Sequence, residues 1–179
     1  MVLSVSTREA WSSTPLPAVI VPDVIGASLA ASVRRSLEEL GYERYALVDR
    51  GSYDHVSSPP LAELLEALRG VASEITGRSL AVSEARALRL LPGDYVLVRH
   101  DRVYDDRPVE LVLDLSAEVV PRAEVHYRHR GQVFFTAPSS PGSMSLVERG
   151  PTVMSNHTYV SKRFASASVV RLMALLRGA

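Results

Sequence analysis

Two stretches in the first half of the chain repeat apolar residues at three- and four-residue steps, the period of an amphipathic helix. The first stretch lies within GASLAASVRRSLEELGYERY, and Gly41 stands where a helix C-cap is expected. The second, LAELLEALRGVASEITG, follows a Ser-Ser-Pro-Pro sequence that is typical of a helix start. We therefore predict two helices in this half of the chain.

Shorter segments surround these helices. AVIVP, from Ala18 to Pro22, and YALVD each predict a short strand. The first dozen residues are polar and rich in Ser and Thr, which predicts a loose segment or an edge strand. RGSYDHVSSPP is rich in turn residues and predicts a loop. By its position, this loop is a candidate lid or substrate loop that contains His55.

After Gly77 the pattern changes to short apolar runs, which are separated by Pro-Gly, Asp-Arg-Pro, Arg-Gly and similar turn signals. The runs predict eight strands, over 85–91, 94–100, 109–115, 123–127, 132–136, 143–148, 153–160 and 166–176. The last run also has the apolar spacing of a C-terminal helix, although its β-branched Val169-Val170 pair favours a strand at its start.

Eight short strands at regular spacing favour a sandwich or a jelly roll, with the two helices packed on the outer face of one sheet. The predicted fold class is α+β, mainly β. The length of 179 residues suits one domain. Within it we predict a loose segment over 1–17, a helical support region over 18–80 and a jelly-roll core over 81–179.

Composition restricts the chemistry. The net charge of zero gives no bulk field that would favour nucleic acid or an anionic membrane. Because cysteine is absent, histidine and carboxylate side chains are the strong metal ligands that remain. The sequence has neither the pattern of a signal peptide at its start nor a run of about 18 uncharged apolar residues. These features predict a cytoplasmic protein without membrane or nucleic-acid partners.

The stretch LPGDYVLVRHDRVYDD changes abruptly from an apolar run to a cluster of ionisable groups. A strand that ends in a histidine and carboxylates is a common way to build a metal site at the mouth of a β-barrel. His100 is the candidate ligand here, and His157, in a similar strand-like run, is its candidate partner. Arg171 lies in an apolar run, where burial without a partner would be costly, so we expect an anion beside it.

The order of these signals resembles the iron(II)- and 2-oxoglutarate-dependent oxygenases, particularly the prolyl-hydroxylase-like branch. The resemblance extends from about Ala18 to the end, and it rests on RALRLLPGDYVLVRHD, VELVLDLS, PGSMSLVER, NHTYV and a terminal strand that bears arginine. It implies a double-stranded β-helix. It also implies a facial triad of two histidines and one carboxylate that holds iron(II), with open positions for 2-oxoglutarate and oxygen.

The metal ligands that the resemblance implies are His100, Asp101 and His157. The family has a His-x-Asp or His-x-Glu motif after the Gly-x-Tyr strand, but here Arg102 stands at the carboxylate position and cannot bind a metal. Asp101 can replace that carboxylate if the strand breaks directly after His100. Asp105 or Asp106, reaching back from the loop, would be an alternative. A third register aligns Asp101 with the carboxylate and Arg99 with the histidine.

For the co-substrate, the resemblance implies a basic residue on the strand after the distal histidine, which binds the far carboxylate of 2-oxoglutarate. Arg171 is favoured over Arg163, which lies in the SKRF turn. A hydroxyl commonly assists, and Tyr95 or Ser168 could supply it.

The substrate-binding residues that we predict are Arg128, Arg102 and His126. In AEVHYRHRGQ, His126 and Arg128 alternate with Tyr127 and His129, which also suits a half-exposed hairpin.

The resemblance implies a hydroxylase-type enzyme in biosynthesis, with molecular oxygen as the other reactant. A chain this short has little room to recognise a macromolecule, so a small polar substrate is expected, such as an amino acid or a natural-product intermediate. A homodimer is compatible with this interpretation. In one alternative, altered metal ligation turns the same scaffold into a cyclase, desaturase or isomerase. In the other, the protein is a non-catalytic jelly roll that binds a ligand.

Overall fold

The computed structural model describes residues 5–98 and 104–179, which form three helices and an antiparallel β-sheet. The helices are α1 (Val5–Ser12), α2 (Ala27–Leu40) and α3 (Ala62–Thr76). The strands are β1 (Ala18–Val21), β2 (Glu43–Leu47), β3 (Gly51–Ser57), β4 (Leu80–Leu90), β5 (Tyr95–Val96), β6 (Val109–Asp114), β7 (Val125–His129), β8 (Gln132–Ala137), β9 (Met144–Glu148), β10 (Val153–His157) and β11 (Val169–Gly178). None of the described helices is long and apolar enough to cross a membrane.

The strands pair in the order β1-β9-β6-β11-β4-β3-β5-β10-β7-β8, and β2 pairs with β3. The sheet has two halves. One half contains β4, β6, β9 and β11, the other contains β5, β7, β8 and β10, and the chain passes back and forth between them. β3 pairs with both β4 and β5 and so joins the halves. This arrangement is a double-stranded β-helix, or jelly roll, and it confirms the predicted fold class.

The junction between the halves depends on Gly51. This residue has a φ of 110°, and a Cβ placed on it would lie 2.0 Å from the carbonyl oxygen of Tyr95. Glycine is therefore required both by the backbone conformation and by the close approach of β5. The contact sets the position of β5, the strand that leads towards the predicted His100 site.

β11 shows how the fold produces two apolar cores. Leu172 and Leu176 belong to the core that the helices cover, whereas Val169 and Met173 belong to the core between the two halves of the sheet. Successive side chains of a strand point to opposite faces, so Arg171 shares the inward face with Val169 and Met173. The predicted packing of helices on the outer face of one sheet is confirmed.

Most of the predicted elements are confirmed. β1, β2, α2 and α3 form where the apolar spacing placed them, and each of the eight predicted strands corresponds to one of β4 to β11. α2 ends at Gly41, whose amide donates to the carbonyl of Glu38 at 3.1 Å. The ambiguous last run forms the strand β11, and the first eight residues of β11 are buried.

Two of the predictions are wrong. Residues 5–12 are not a loose segment or an edge strand, because they form α1, whose Trp11 is only 5% exposed in the helix-covered core. The segment RGSYDHVSSPP is not a loop, because β3 occupies most of it. Its polar residues concealed a strand in which Tyr53 and Asp54 are both buried. His55 therefore lies on a strand and not on a lid.

A buried carboxylate fixes the turn that precedes β5. Asp94 is 2% exposed and accepts hydrogen bonds from Arg44 at 2.5 and 2.8 Å, from the Ser52 hydroxyl at 2.6 Å and from the Leu91 amide at 2.9 Å. Burial alone would raise the pKa of Asp94, but these hydrogen bonds together lower it below the ordinary value of 3.8. Asp94 thus ties β2, β3 and the turn together as an ionised group.

Asp94→Asn tests this role. A carboxyl group with a lowered pKa stabilises the fold above its ordinary pKa, and the stabilisation is lost as the pH falls through the folded-state value. We expect the substitution to reduce the free energy of unfolding by about 2 kcal/mol at pH 7. We expect the difference between the two proteins to shrink below about pH 4. Urea unfolding at pH 7, 5 and 3 measures both effects.

The matched control is Asp105→Asn, which removes the same charge from an exposed position. It should change the free energy of unfolding by less than about 0.5 kcal/mol. An Asp94→Asn protein as stable as this control at pH 7 would contradict the role assigned to Asp94.

Candidate functional site

A cavity of about 100 Å³ lies between the two halves of the sheet. Its polar lining consists of Glu84, Arg86, Tyr104, Glu110, Arg149, Ser155 and His157. The apolar side chains that line it include Val96, Leu97, Met173 and Leu175. An apolar cavity with a few converging polar groups is the usual form of a small-molecule site. We therefore take this cavity as the candidate functional site.

His157 and Arg171 form a buried pair at this site, with exposures of 4% and 2%. Nη1 of Arg171 donates to Nδ1 of His157 at 2.8 Å, and Nη2 donates to the carbonyl of Ala123 at 2.7 Å. A guanidinium has only donors, so Nδ1 must accept, and a neutral imidazole then carries its proton on Nε2. Of the two side chains, His157 lines the cavity and Arg171 does not.

The charge of Arg171 has no direct counter-ion in residues 5–98 and 104–179, where no carboxylate lies within 4.0 Å of the guanidinium. Burial lowers the pKa of Arg171, and the more distant charge of Asp114 opposes this shift. The oxygens of Asp114 themselves accept from the amides of Ser116 and Ser140, at 2.8 and 2.6 Å. A guanidinium remains charged even so, and a buried cation of this kind favours binding of an anion.

Arg149 is buried as well, but its charge is paired. It donates to one carboxylate oxygen of Glu110, and the hydroxyl of Tyr127 donates to the other at 2.8 Å. Burial alone would lower the pKa of Arg149, yet the charge of Glu110 raises it overall. Burial and Glu110 also raise the pKa of Tyr127 well above its ordinary value. The three side chains form a satisfied polar network on the cavity wall.

The chain resembles known proteins in its three-dimensional structure but not detectably in its sequence. No protein-family model matches the sequence, and the comparison with curated proteins finds no match. Among solved structures, the chain is similar to SnoK, a non-haem α-ketoglutarate-dependent carbocyclase of nogalamycin biosynthesis. The TM-score is 0.73 at 16% identity, over 99% of this chain and 85% of that one.

Two further structures extend the similarity. A prolyl-4-hydroxylase from Pseudomonas putida matches with a TM-score of 0.70 at 14% identity, over 97% of this chain and 99% of that one. A 2OG-Fe(II) oxygenase family protein from Burkholderia pseudomallei matches with a TM-score of 0.71 at 12% identity, over 97% and 91%. The chain shares its jelly-roll fold with these three proteins. At identities this low the similarity establishes the fold, and activity has to be argued from the site.

The metal site predicted from the sequence falls only partly within the described residues. His157 is described, whereas His100 and Asp101 lie outside the described residues, as does Arg102. Within 5–98 and 104–179, no group of three or more His, Asp or Glu side chains could hold a metal ion. His157 can bind a metal through Nε2 only when its proton leaves that atom, which requires Arg171 to release Nδ1. The described residues thus provide one candidate metal ligand, His157, and one candidate binding group for an anion, Arg171.

Other residues predicted for the site lie elsewhere in the structure. Tyr95 is absent from the cavity lining, and its ring contacts that of Tyr159 at a centroid distance of 6.5 Å. Arg128 and His126 share the face of β7 that points away from the cavity, and Arg128 donates to Oδ1 of Asn156 at 3.1 Å. The structure does not bring these three side chains together with His157.

Sequence reasoning missed two charged residues of the site, Glu110 and Arg149. Glu110 lies in VELVLDLS, where apolar residues stand at 109, 111, 113 and 115, and the positions between them are polar apart from Val112. That alternation is usually interpreted as one buried face and one solvated face. In this fold the apolar face packs against the helices and the other face lines the cavity, so alternation within a jelly-roll strand could have identified Glu110. No comparable signal marks Arg149.

The Arg171 contact predicts which nitrogen of His157 is protonated. In the metal-free protein at pH 8, ¹⁵N–¹H spectra of histidine-labelled protein should show the Nε2–H tautomer for this side chain. Arg171→Met removes the donor and should allow the Nδ1–H form to appear. Arg128→Met, which removes a guanidinium from the other face of β7, should leave the His157 signals unchanged. An Nδ1–H tautomer in the unsubstituted protein would contradict the hydrogen bond.

Proposed function

We propose that the protein is an iron(II)- and 2-oxoglutarate-dependent oxygenase that acts on a small polar molecule. The observation that carries the proposal is the fully buried guanidinium of Arg171, which has no carboxylate within 4.0 Å in the described part of the chain. It lies inside a fold shared with enzymes of this kind. A carboxylate of 2-oxoglutarate can satisfy a guanidinium through two parallel hydrogen bonds.

Binding of that carboxylate would change the state of His157. The carboxylate competes with Nδ1 of His157 for the Nη1 donor of Arg171. Once Nη1 of Arg171 no longer donates to Nδ1, the imidazole can carry its proton on Nδ1 and use Nε2 as a metal ligand. We propose that His157 holds iron in this form, with His100 and Asp101 as the other ligands. Iron and 2-oxoglutarate supply the oxidising chemistry when they are bound.

The cavity lining supports a small polar substrate. Glu84, Arg86 and Tyr104 lie beside Leu97 and Leu175, so the same cavity offers both hydrogen-bonding groups and apolar contact. One similar structure is a carbocyclase of antibiotic biosynthesis. We propose an amino acid or a natural-product intermediate as the substrate class, with hydroxylation as the reaction.

A second candidate function is binding of a carboxylate ligand without a metal. The observation in its favour is the hydrogen bond to Nδ1 of His157, which keeps the Nε2 proton in place and so opposes metal binding. Under this alternative Arg171 remains the anion site, and His157 serves to position the guanidinium.

Anaerobic titration of the metal-free protein with iron(II) and then 2-oxoglutarate tests the proposal. We expect the visible charge-transfer band of the iron and 2-oxoglutarate chelate to appear in the unsubstituted protein. His157→Ala should abolish it. Arg171→Met should weaken 2-oxoglutarate binding by about 10- to 100-fold, because hydrogen bonds to a charged group are lost. Arg130→Met removes an exposed guanidinium and should leave the titration unchanged.

The outcomes separate the two candidate functions. If no band appears but calorimetry shows that 2-oxoglutarate binds the metal-free protein through Arg171, the protein is a carboxylate-binding jelly roll. If neither the band nor 2-oxoglutarate binding is observed, both candidate functions are wrong.

A further inference from the structure

The cavity wall contains a carboxylate that the proposed reaction does not use. Glu110 and Arg149 both line the cavity and are 6% and 5% exposed. Arg149 donates to Oε2 of Glu110, and Tyr127 donates to Oε1 at 2.8 Å. Arg149 also donates to Oγ of Ser155 at 3.1 Å. The guanidinium and a phenol hydroxyl thus converge on one carboxylate, as they would on the carboxylate of a bound ligand.

The two buried arginines of the inner face therefore differ in one respect. Arg149 forms a hydrogen-bonded ion pair with a carboxylate, whereas Arg171 has no carboxylate within 4.0 Å among the described residues. An external carboxylate can bind Arg171 by displacing a neutral imidazole. To bind Arg149 it would have to displace Glu110, which would leave that buried carboxylate with the Tyr127 hydroxyl but without its cation.

We propose that Glu110 is a specificity-determining residue, a built-in carboxylate that fills the anion site of Arg149 and excludes a second external carboxylate from this wall. Arg171, which does not itself line the cavity but donates to His157 on the cavity wall, then remains the binding group for one external carboxylate. A substrate group that faces the Glu110–Arg149 pair is uncharged and forms hydrogen bonds, such as a hydroxyl or an amide. This statement about the substrate rests on the function proposed above, whereas the occupation of the Arg149 site does not.

Glu110→Gln tests the proposal in the metal-free protein. The substitution keeps the shape of the side chain but removes its charge, so an external carboxylate would have to displace only a neutral amide from Arg149, as it displaces a neutral imidazole from Arg171. Formate is the probe, because it is the smallest carboxylate. We expect formate to raise the Tm of Glu110→Gln by about 3 to 6 °C more than that of the unsubstituted protein, at a concentration ten times its Kd for the new site. Chloride at the same ionic strength should not do so.

Two further variants serve as controls. Glu110→Gln combined with Arg149→Met removes both charges and should return the formate response to that of the unsubstituted protein. Glu84→Gln removes an exposed carboxylate from the same cavity and should not create a formate site. If Glu110→Gln unfolds in formate-free buffer, recovery of the fold by formate and not by chloride supports the proposal.

Equal formate responses in Glu110→Gln and in the double variant would overturn the proposal, whether or not the single variant is stable without formate. The extra response of Glu110→Gln depends on Arg149 and needs neither iron nor Arg171. A failed iron and 2-oxoglutarate titration with a positive formate result would therefore reject the oxygenase and retain the role of Glu110. The reverse pair of results would retain the oxygenase and reject the role of Glu110.

Discussion

The structure depends on the register of β11, a strand that is buried on both faces along most of its length. One face contacts the helix-covered core through Leu172 and Leu176, and the other carries Arg171 and Met173 into the jelly roll. A shift of one residue would exchange these faces and place a guanidinium in the helix core without hydrogen-bonding partners. Pairing with β4 on one side and β6 on the other prevents that shift. The position of the candidate anion site is therefore a consequence of strand pairing.

Among residues 5–98 and 104–179, the interior of the jelly roll contains two buried arginines, and the fold gives them different partners. At Arg149 the fold supplies both the cation and the anion, so this pair is complete before any ligand arrives. At Arg171 it supplies a neutral imidazole and a backbone carbonyl, which solvate the guanidinium but do not neutralise it. A buried ion is most stable with a counter-ion, so the arrangement at Arg171 favours binding of an anionic ligand. The hydrogen-bond partners thus distinguish a structural arginine, Arg149 on the cavity wall, from a candidate binding arginine, Arg171 behind His157.

Much of the fold could be predicted because its strands are short, apolar and separated by Pro and Gly signals. The same reasoning failed for β3, where Gly51, Ser52, Asp54 and His55 do not form an apolar pattern. That strand is held by pairing with β2, β4 and β5, which is long-range information that a local pattern does not contain. α1 was missed for a related reason, because one buried Trp11 anchors an otherwise polar helix.

The site was harder to predict than the fold for a physical reason. In most sheets a polar side chain that alternates with apolar ones faces water, so Glu110 and Asp114 in VELVLDLS suggest a solvated face. In this jelly roll the helices cover the apolar face and the cavity receives the polar one. Both side chains are nevertheless at most 6% exposed, and each has hydrogen-bond donors supplied by the fold. A strand of this kind places buried polar residues, including the candidate specificity residue Glu110, on the face that sequence patterns assign to solvent.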